Sequence, residues 1–293
     1  MASPEKSVFQ RVLLPTDFSR YSKRTLECGA ELFNIGVEEV ILLHVGTYDP
    51  FILSLARVEV EDFIKKLEEE SAEKLEEAER IVEEKGVRVK KLFYAVSGDP
   101  ADKILEVADE EKVDLILMGS RGHGLLRSKL IGGISESVVR KSSVPVLIVK
   151  FKVVEEAGEY YCKKTFSRLF EKVLFATDTT SDPNIVEFLK KVAKIGEVYL
   201  VHVVERSKED EIEAMVERAN EVLRGLRSKI GQGEIRITWG NPVKEILKIA
   251  DEEGISLIVI RSTGKNGSDE SKELGRTADS IIRHSKVPVL VFK

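Results

Sequence analysis

Between residues 118 and 135 the chain reads Met118-Gly119-Ser120-Arg121-Gly122-His123-Gly124 and then, after a short gap, Ile131-Gly132-Gly133-Ile134-Ser135. An apolar run, Val113 to Met118, leads into this stretch, and a helix-like segment, Ser135 to Lys141, leads out of it. A glycine loop between a strand and a helix exposes backbone N–H groups, and the helix adds the positive end of its dipole. The chemistry this permits is binding of phosphate. Gly119, Gly122 and Gly132 are spaced G-x2-G-x9-G. That is neither the P-loop G-x4-G-K-[ST] nor the dinucleotide G-x-G-x-x-G. No P-loop lysine, acidic metal site or general base over a γ-phosphate accompanies the loop. Binding is therefore favoured over catalysis, no catalytic residue is assigned, and a slow ATPase or phosphotransfer protein is the alternative.

The elements that must position this loop alternate between short apolar runs and longer amphipathic ones, the βαβ rhythm of a parallel sheet with helices on both faces. Strands are predicted near 10–16, 38–45, 90–96, 113–118 and 145–150, and helices near 18–34, 57–86, 100–111 and 134–142. Asp17 and Ser19 are candidate caps of the first helix, and Asp99 with Pro100 opens the third. The helix at 57–86 carries Val60, Phe63, Ile64, Leu67, Leu75, Ala78 and Val82 along one stripe, with a solvated Glu/Lys face opposite.

The pattern then repeats. Val12-Leu-Leu-Pro-Thr-Asp17 returns as Val173-Leu-Phe-Ala-Thr-Asp178, Leu43-His-Val45 as Val201-His-Val203, and Gly98-Asp-Pro100 as Gly240-Asn-Pro242. Asp114-Leu-Ile-Leu117 returns as Ser256-Leu-Ile-Val259, and Val144–Val149 as Val287–Phe292. The offset is 158 at His44/His202 and 142 at Gly98/Gly240, so the second copy lacks about 16 residues between its second and third strands. Its strands are expected near 171–177, 197–203, 234–239, 256–260 and 288–292, and its helices near 183–195, 208–229, 242–253 and 276–284. A polar connector, Val154 to Lys164, joins the copies, with a short helix suggested at Lys163–Phe170. His44 and His202 fall inside strand patterns and are read as packing residues.

The glycine loop, the opening strand Arg11–Asp17, the second strand Val40–Val45 and the closing strand Val144–Val149 resemble the universal stress protein family, whose nucleotide-binding signature is G-x2-G-x9-G-[ST]. Gly133 departs from it, standing where Ser or Thr is usual, while Ser135 matches a second hydroxyl of the pattern. The resemblance covers nearly the whole chain. It implies an α/β fold of two tandem Rossmann-like (adenine nucleotide alpha hydrolase-like) domains, each a five-stranded parallel sheet flanked by helices. The expected boundaries are 1–152 for the first domain, 153–170 for a linker and 171–293 for the second domain.

The resemblance also implies an adenine nucleotide, ATP or AMP, in the first copy. Asp17 would hold the ribose hydroxyls, since a carboxylate accepts from both. Pro15, Thr16 and the backbone of Val45 would meet the adenine. Met118, Gly119, Arg121, Gly122 and His123 would border the ribose and phosphates, and Gly132, Gly133, Ile134 and Ser135 would donate to the phosphates. Mg²⁺ would accompany ATP, held by phosphates and water rather than by protein side chains alone. In the second copy Arg261 replaces Gly119, Ala278 replaces Ser135 and Ala176 replaces Pro15. That site is expected to be empty or weak, built on what remains: Asp178, Val203, Gly264 and Gly275. The implied role is a stress-response or regulatory protein. Against it stand a dimerisation scaffold without nucleotide and, locally, Asp17 as no more than a helix cap.

The resemblance further implies closing strands that pair across a two-fold interface, here as an intrachain pseudo-dimer, with a homodimer of whole chains as a further option; their apolar runs, which would be exposed edges if left open, support this. A net charge of −5 and a pI near 5.7 offer no basic excess for nucleic acid. No apolar run approaches a membrane span, and no leader-like segment opens the chain, so a soluble cytoplasmic protein is expected. Cys28 and Cys162 lie far apart without metal-type spacing and read as ordinary thiols.

Overall fold

The computed structural model describes residues 8–83, 86–120, 131–156, 159–179, 182–205, 209–263 and 274–293. They form two compact units, Phe9–Val146 and Leu147–Lys293. Each is a parallel α/β layer structure of Rossmann-like type.

In the first unit β1 (Arg11–Pro15), β2 (Glu39–Thr47), β3 (Arg88–Val96) and β4 (Leu115–Gly119) pair in the order β4-β1-β2-β3, every pair parallel. Pro145 extends the sheet beside β4, its carbonyl accepting from Ile116 N at 3.0 Å, and β5 (Val146–Val149) follows. Val12–Leu14 and Leu115–Leu117 are fully buried, as β-rich runs covered on both faces must be. The crossovers are α1 (Arg20–Gly29), α2 (Pro50–Leu55), α3 (Val60–Glu83), α4 (Pro100–Glu110) and α5 (Gly133–Lys141). Asp99 opens α4 as expected: its carboxylate accepts from Ala101 N at 2.9 Å, and Pro100 takes the position where no N–H is needed.

The amino end of this sheet is tied by charge. Glu111, just past α4, accepts from Lys90 Nζ at 2.7 Å and from Arg11 Nη2 at 3.2 Å, while Arg11 Nε reaches Glu39 at 2.6 Å. The Lys90 ammonium, with Arg11 adding to it, holds the Glu111 carboxyl below its ordinary value of 4.5. A carboxyl depressed in the folded state stabilises above its unfolded pKa and loses that contribution as pH falls. Glu111→Gln should therefore unfold at lower temperature than wild type at pH 7, by a difference of about 1 kcal/mol or less. The two proteins should converge as pH drops below 4.5, as pH-dependent melting curves would record.

The second unit repeats the plan. Its β8 (Lys172–Ala176), β9 (Glu197–Val204), β10 (Glu234–Trp239), β11 (Leu257–Arg261) and β12 (Val289–Phe292) run in the order β10-β9-β8-β11-β12, all parallel. Helices α6 (Pro183–Ala193), α7 (Glu209–Ile230), α8 (Pro242–Glu252) and α9 (Arg276–His284) connect them. Where the first copy uses Asp114 to accept from Gln10 N and Arg11 N, the second uses the Ser256 hydroxyl, which accepts from Lys172 N at 3.0 Å.

Four local expectations need correction. The helix expected at 57–86 is α3, and before it stands a helix that was not expected, α2, parted from α3 at Arg57, whose φ of 55° is left-handed. The six-residue α2 lies in the stretch the second copy lacks, and Phe51, Ile52 and Leu55 on it are exposed. The helix expected at 18–34 is α at Arg20–Gly29 and 3₁₀ at Ala30–Ile35. The connector contains an antiparallel hairpin, β6 (Lys152–Glu156) with β7 (Glu159–Lys163), in register Val154↔Tyr161. Its Val- and Tyr-rich arms favour strand pairing over a polar coil. Where a short helix was suggested at Lys163–Phe170, Lys163 ends β7 and residues 165–170 form bends and a turn.

Candidate functional site

In an open parallel sheet, ligands bind beyond the carboxyl ends of the strands, where the chain reverses its direction of winding. In the first unit that point lies between neighbouring β1 and β4. The loop after β1 and the amino end of α5 both start there.

The β1 loop is tightly specified. Thr16 N continues the ladder to Leu43 O at 2.8 Å. Phe18 follows in the left-handed region, at φ 59°, which a bulky residue rarely adopts, and its N–H donates to Thr16 Oγ1 at 3.1 Å. The Asp17 carboxylate accepts at Oδ1 from Ser19 N at 3.0 Å and also from Ser22 Oγ. Ser19 Oγ in turn accepts from Ser22 N at 3.2 Å, one turn into α1. Ser19 therefore caps α1 as expected, while Asp17 holds the N–H of Ser19 itself and the Ser22 hydroxyl rather than an N–H of the helix. Asp17 Oδ1 serves the helix entrance, which is one role for a residue to which the resemblance gives another.

At β4, Gly132 N donates to Ser120 O at 2.8 Å, and Ser135 Oγ donates to Gly119 O at 2.8 Å. Gly132 is the N-cap of α5 and supplies no side-chain acceptor to the first turn. The N–H groups there are of the kind that anions satisfy. Ile134 is 43% exposed, and a Cβ built on Gly133 meets nothing within 4 Å. Thr16, Ser19, Ser22, Ser120 and Ser135 are all buried, so a set of hydroxyls is fixed around this end of the sheet. Ser22 and Ser120 escaped sequence reasoning; the Ser19-x-x-Ser22 spacing was the available sign of the first.

Pro15 and Val45 stand at the ends of β1 and β2, both half-buried, while the Met118 side chain is buried. Arg121, Gly122 and His123 lie outside the described residues, as does Gly264 in the second unit. Among the described residues no three His, Cys, Asp or Glu side chains gather as a metal-binding group, and no helix is long and apolar enough to cross a membrane.

The second unit preserves half of this construction. Thr177 N donates to Val201 O at 2.9 Å, Thr179 N to Thr177 Oγ1 at 3.1 Å, and Thr179 is left-handed at φ 74°. Gly275 N donates to Ser262 O at 2.7 Å and caps α9, as Gly132 does α5. Asp178 and Val203 are half-buried at the ends of β8 and β9. Arg261 ends β11 where Gly119 ends β4.

The empty space at Gly133 gives a gain-of-function test. Gly133→Ser restores a hydroxyl beside the α5 N-terminus without a clash. If phosphate sits at this N-terminus, ATP should bind the variant about three- to tenfold more tightly, the value of one net hydrogen bond, and adenosine equally to wild type. Calorimetry with both ligands checks this, and an equal gain for adenosine would contradict a phosphate-facing position.

Comparison with known proteins follows the same division. The sequence model of the Universal stress protein family matches residues 9–150 and again 169–293. A universal stress protein of Methanocaldococcus jannaschii is 36% identical over 159 residues, 50% of this chain and 97% of the relative. One from Bacillus subtilis is 30% identical over 49% of this chain and 100% of the relative. Those proteins correspond to one copy. A crystal structure of a universal stress protein from Archaeoglobus fulgidus is 30% identical and matches 98% of both chains, with a TM-score of 0.69. With both copies matched, the chain belongs to the universal stress protein family as a tandem member.

Proposed function

We propose that this chain is an adenine-nucleotide-binding regulatory or stress-response protein whose first copy, residues 1–152, holds ATP or AMP at the carboxyl ends of β1, β2 and β4. The observation that carries this reading is the pairing, on neighbouring strands, of the Thr16–Ser22 loop with an α5 whose N-cap is a glycine. One supplies a carboxylate for sugar hydroxyls, the other backbone donors for phosphate. Mg²⁺ would enter with ATP, carried by phosphate oxygens and water. Occupancy would set a conformational or assembly state rather than drive turnover, and a cytoplasmic setting belongs to the same reading.

The second copy, residues 171–293 beyond a 153–170 linker, keeps Asp178 and Gly275 but carries Arg261 and Ala278 at phosphate-facing positions, so it would bind weakly or not at all. A pseudo-dimer of the copies through their apolar closing strands, and a homodimer of chains, complete the proposal.

The test is to denature the purified protein, identify any released nucleotide by chromatography and mass, and then titrate with ATP and AMP. About one adenine nucleotide per chain supports an occupied first copy. Two would assign a working site to the second copy as well. None released and none bound on titration would favour a scaffold.

A further inference from the structure

His44 and His202 do more than pack. His44 Nδ1 lies 2.8 Å from Thr16 O, and His202 Nδ1 lies 2.8 Å from Thr177 O. A carbonyl only accepts, so the ring nitrogen must donate, which fixes the neutral imidazole as the Nδ1–H tautomer. In both copies the threonine is thus held at three atoms. Its N–H joins the sheet ladder, its hydroxyl accepts from the left-handed residue two positions on, and its carbonyl accepts from the histidine. The carbonyl of Thr16 belongs to the peptide that leads into Asp17, so the histidine sets the plane from which the Asp17 carboxylate departs.

In the first copy the imidazole is itself held. The Phe18 ring lies 4.3 Å from it, and Phe93 stacks on it at 6.0 Å and 25°. Lys74 Nζ sits 5.5 Å from the Phe18 centroid. Phe93 is the β3 partner of His44, whereas His202 pairs with Ile237 on β10, and Thr179 takes the place of Phe18. The first copy therefore adds an aromatic clamp to a hydrogen bond that both copies share.

We propose that His44 is a positioning residue: its Nδ1–H bond to the Thr16 carbonyl orients Asp17 for the sugar hydroxyls of the ligand. This rests on the nucleotide reading above and deepens it. His44 touches no ligand in this role, so its effect should fall on the nucleoside portion and be the same whether phosphate is present or not.

Two variants of the full chain separate the hydrogen bond from packing. His44→Phe keeps a ring between Phe18 and Phe93 and deletes the donor. His44→Asn keeps a donor nitrogen bonded to the same Cγ. Calorimetry with ATP and with adenosine should show His44→Phe weakened about three- to tenfold for both ligands, the range for one net hydrogen bond. His44→Asn should return to within about twofold of wild type. A His44→Phe affinity equal to wild type, or a His44→Asn loss as large as that of His44→Phe, would overturn the positioning role and leave the nucleotide reading standing. A wild-type protein that binds neither ligand would overturn both. Should either variant fail to fold, long-range ¹⁵N spectra of the wild type decide. The Nδ1–H tautomer is expected at His44, with its ring resonances moving on addition of ATP. An Nε2–H tautomer, or resonances unmoved by saturating ATP, would overturn the proposal.

Discussion

Replacing Gly196 by alanine is expected to lower the melting temperature by about 10 °C, the shift for roughly 3 kcal/mol in a unit of this size. Gly196 joins α6 to β9 where the chain passes against the start of β8. A Cβ there would stand 1.8 Å from the carbonyl oxygen of Phe170 and 2.9 Å from that of Glu171. Both are backbone atoms, and neither can rotate away as a side chain would. Relief requires the Glu171–Lys172 segment to move, yet Glu197 N donates to Glu171 O at 2.9 Å and Lys172 is in register with Glu197. Any shift would also carry Phe170 away from Phe188, whose ring it meets edge-on at 6.1 Å. The substitution must therefore break either the first β8–β9 pairing or the aromatic contact beneath it. Gly225→Ala is the control of opposite sign. Gly225 lies in α7, where an added Cβ meets nothing within 4 Å, and alanine there should stabilise by about 0.5–1 kcal/mol through helix propensity. Scanning calorimetry of the two variants reads both signs. A Gly196→Ala protein that melts with wild type would mean that the two backbones can part without breaking either contact.

The sequence displayed the repeat, the strands and the loop ends because each rests on local chemistry. Val12–Leu14 and Leu257–Ile260 are apolar wherever they lie, and Asp99-Pro100 caps a helix in any setting. What the sequence concealed depended on backbone conformation or distant partners. Arg57 carries no glycine-like sign of its left-handed φ, and the six residues of α2 before it are too few to show a helical period. The hairpin at 152–163 looked polar because its lysines and glutamates outnumber the Val and Tyr residues that favour strand. Within the candidate site, Gly119 and Gly132 stood out by spacing, and Asp17 by the family resemblance. The link from His44 to Thr16 joins residues on two strands, and an imidazole inside an apolar strand gives no indication that its Nδ1 meets a carbonyl 28 positions away.

Asp17 is where the two accounts of the site can be separated. Asp17→Ala should weaken adenine-nucleotide binding by roughly 1–3 kcal/mol, the range for a lost contact to a charged group. It should also lower stability by about 1 kcal/mol, because Oδ1 accepts from Ser19 N and Ser22 Oγ at the start of α1. The alanine variant alone confounds these effects. Asp17→Asn resolves them, since its amide oxygen can still accept at the helix entrance while the charge that two sugar hydroxyls would share is gone. If Asp17 binds ribose, the asparagine protein should melt close to wild type yet bind ATP and adenosine more weakly, and both ligands should lose equally because the contact lies on the sugar. If Asp17 is only a helix cap, the asparagine variant should bind as wild type does, and the alanine variant should lose stability without losing affinity. Paired melting curves and titrations on the two variants therefore assign the carboxylate to the helix, to the ligand or to both. A titration in which Asp17→Ala matches wild type would remove Asp17 from the ligand site altogether.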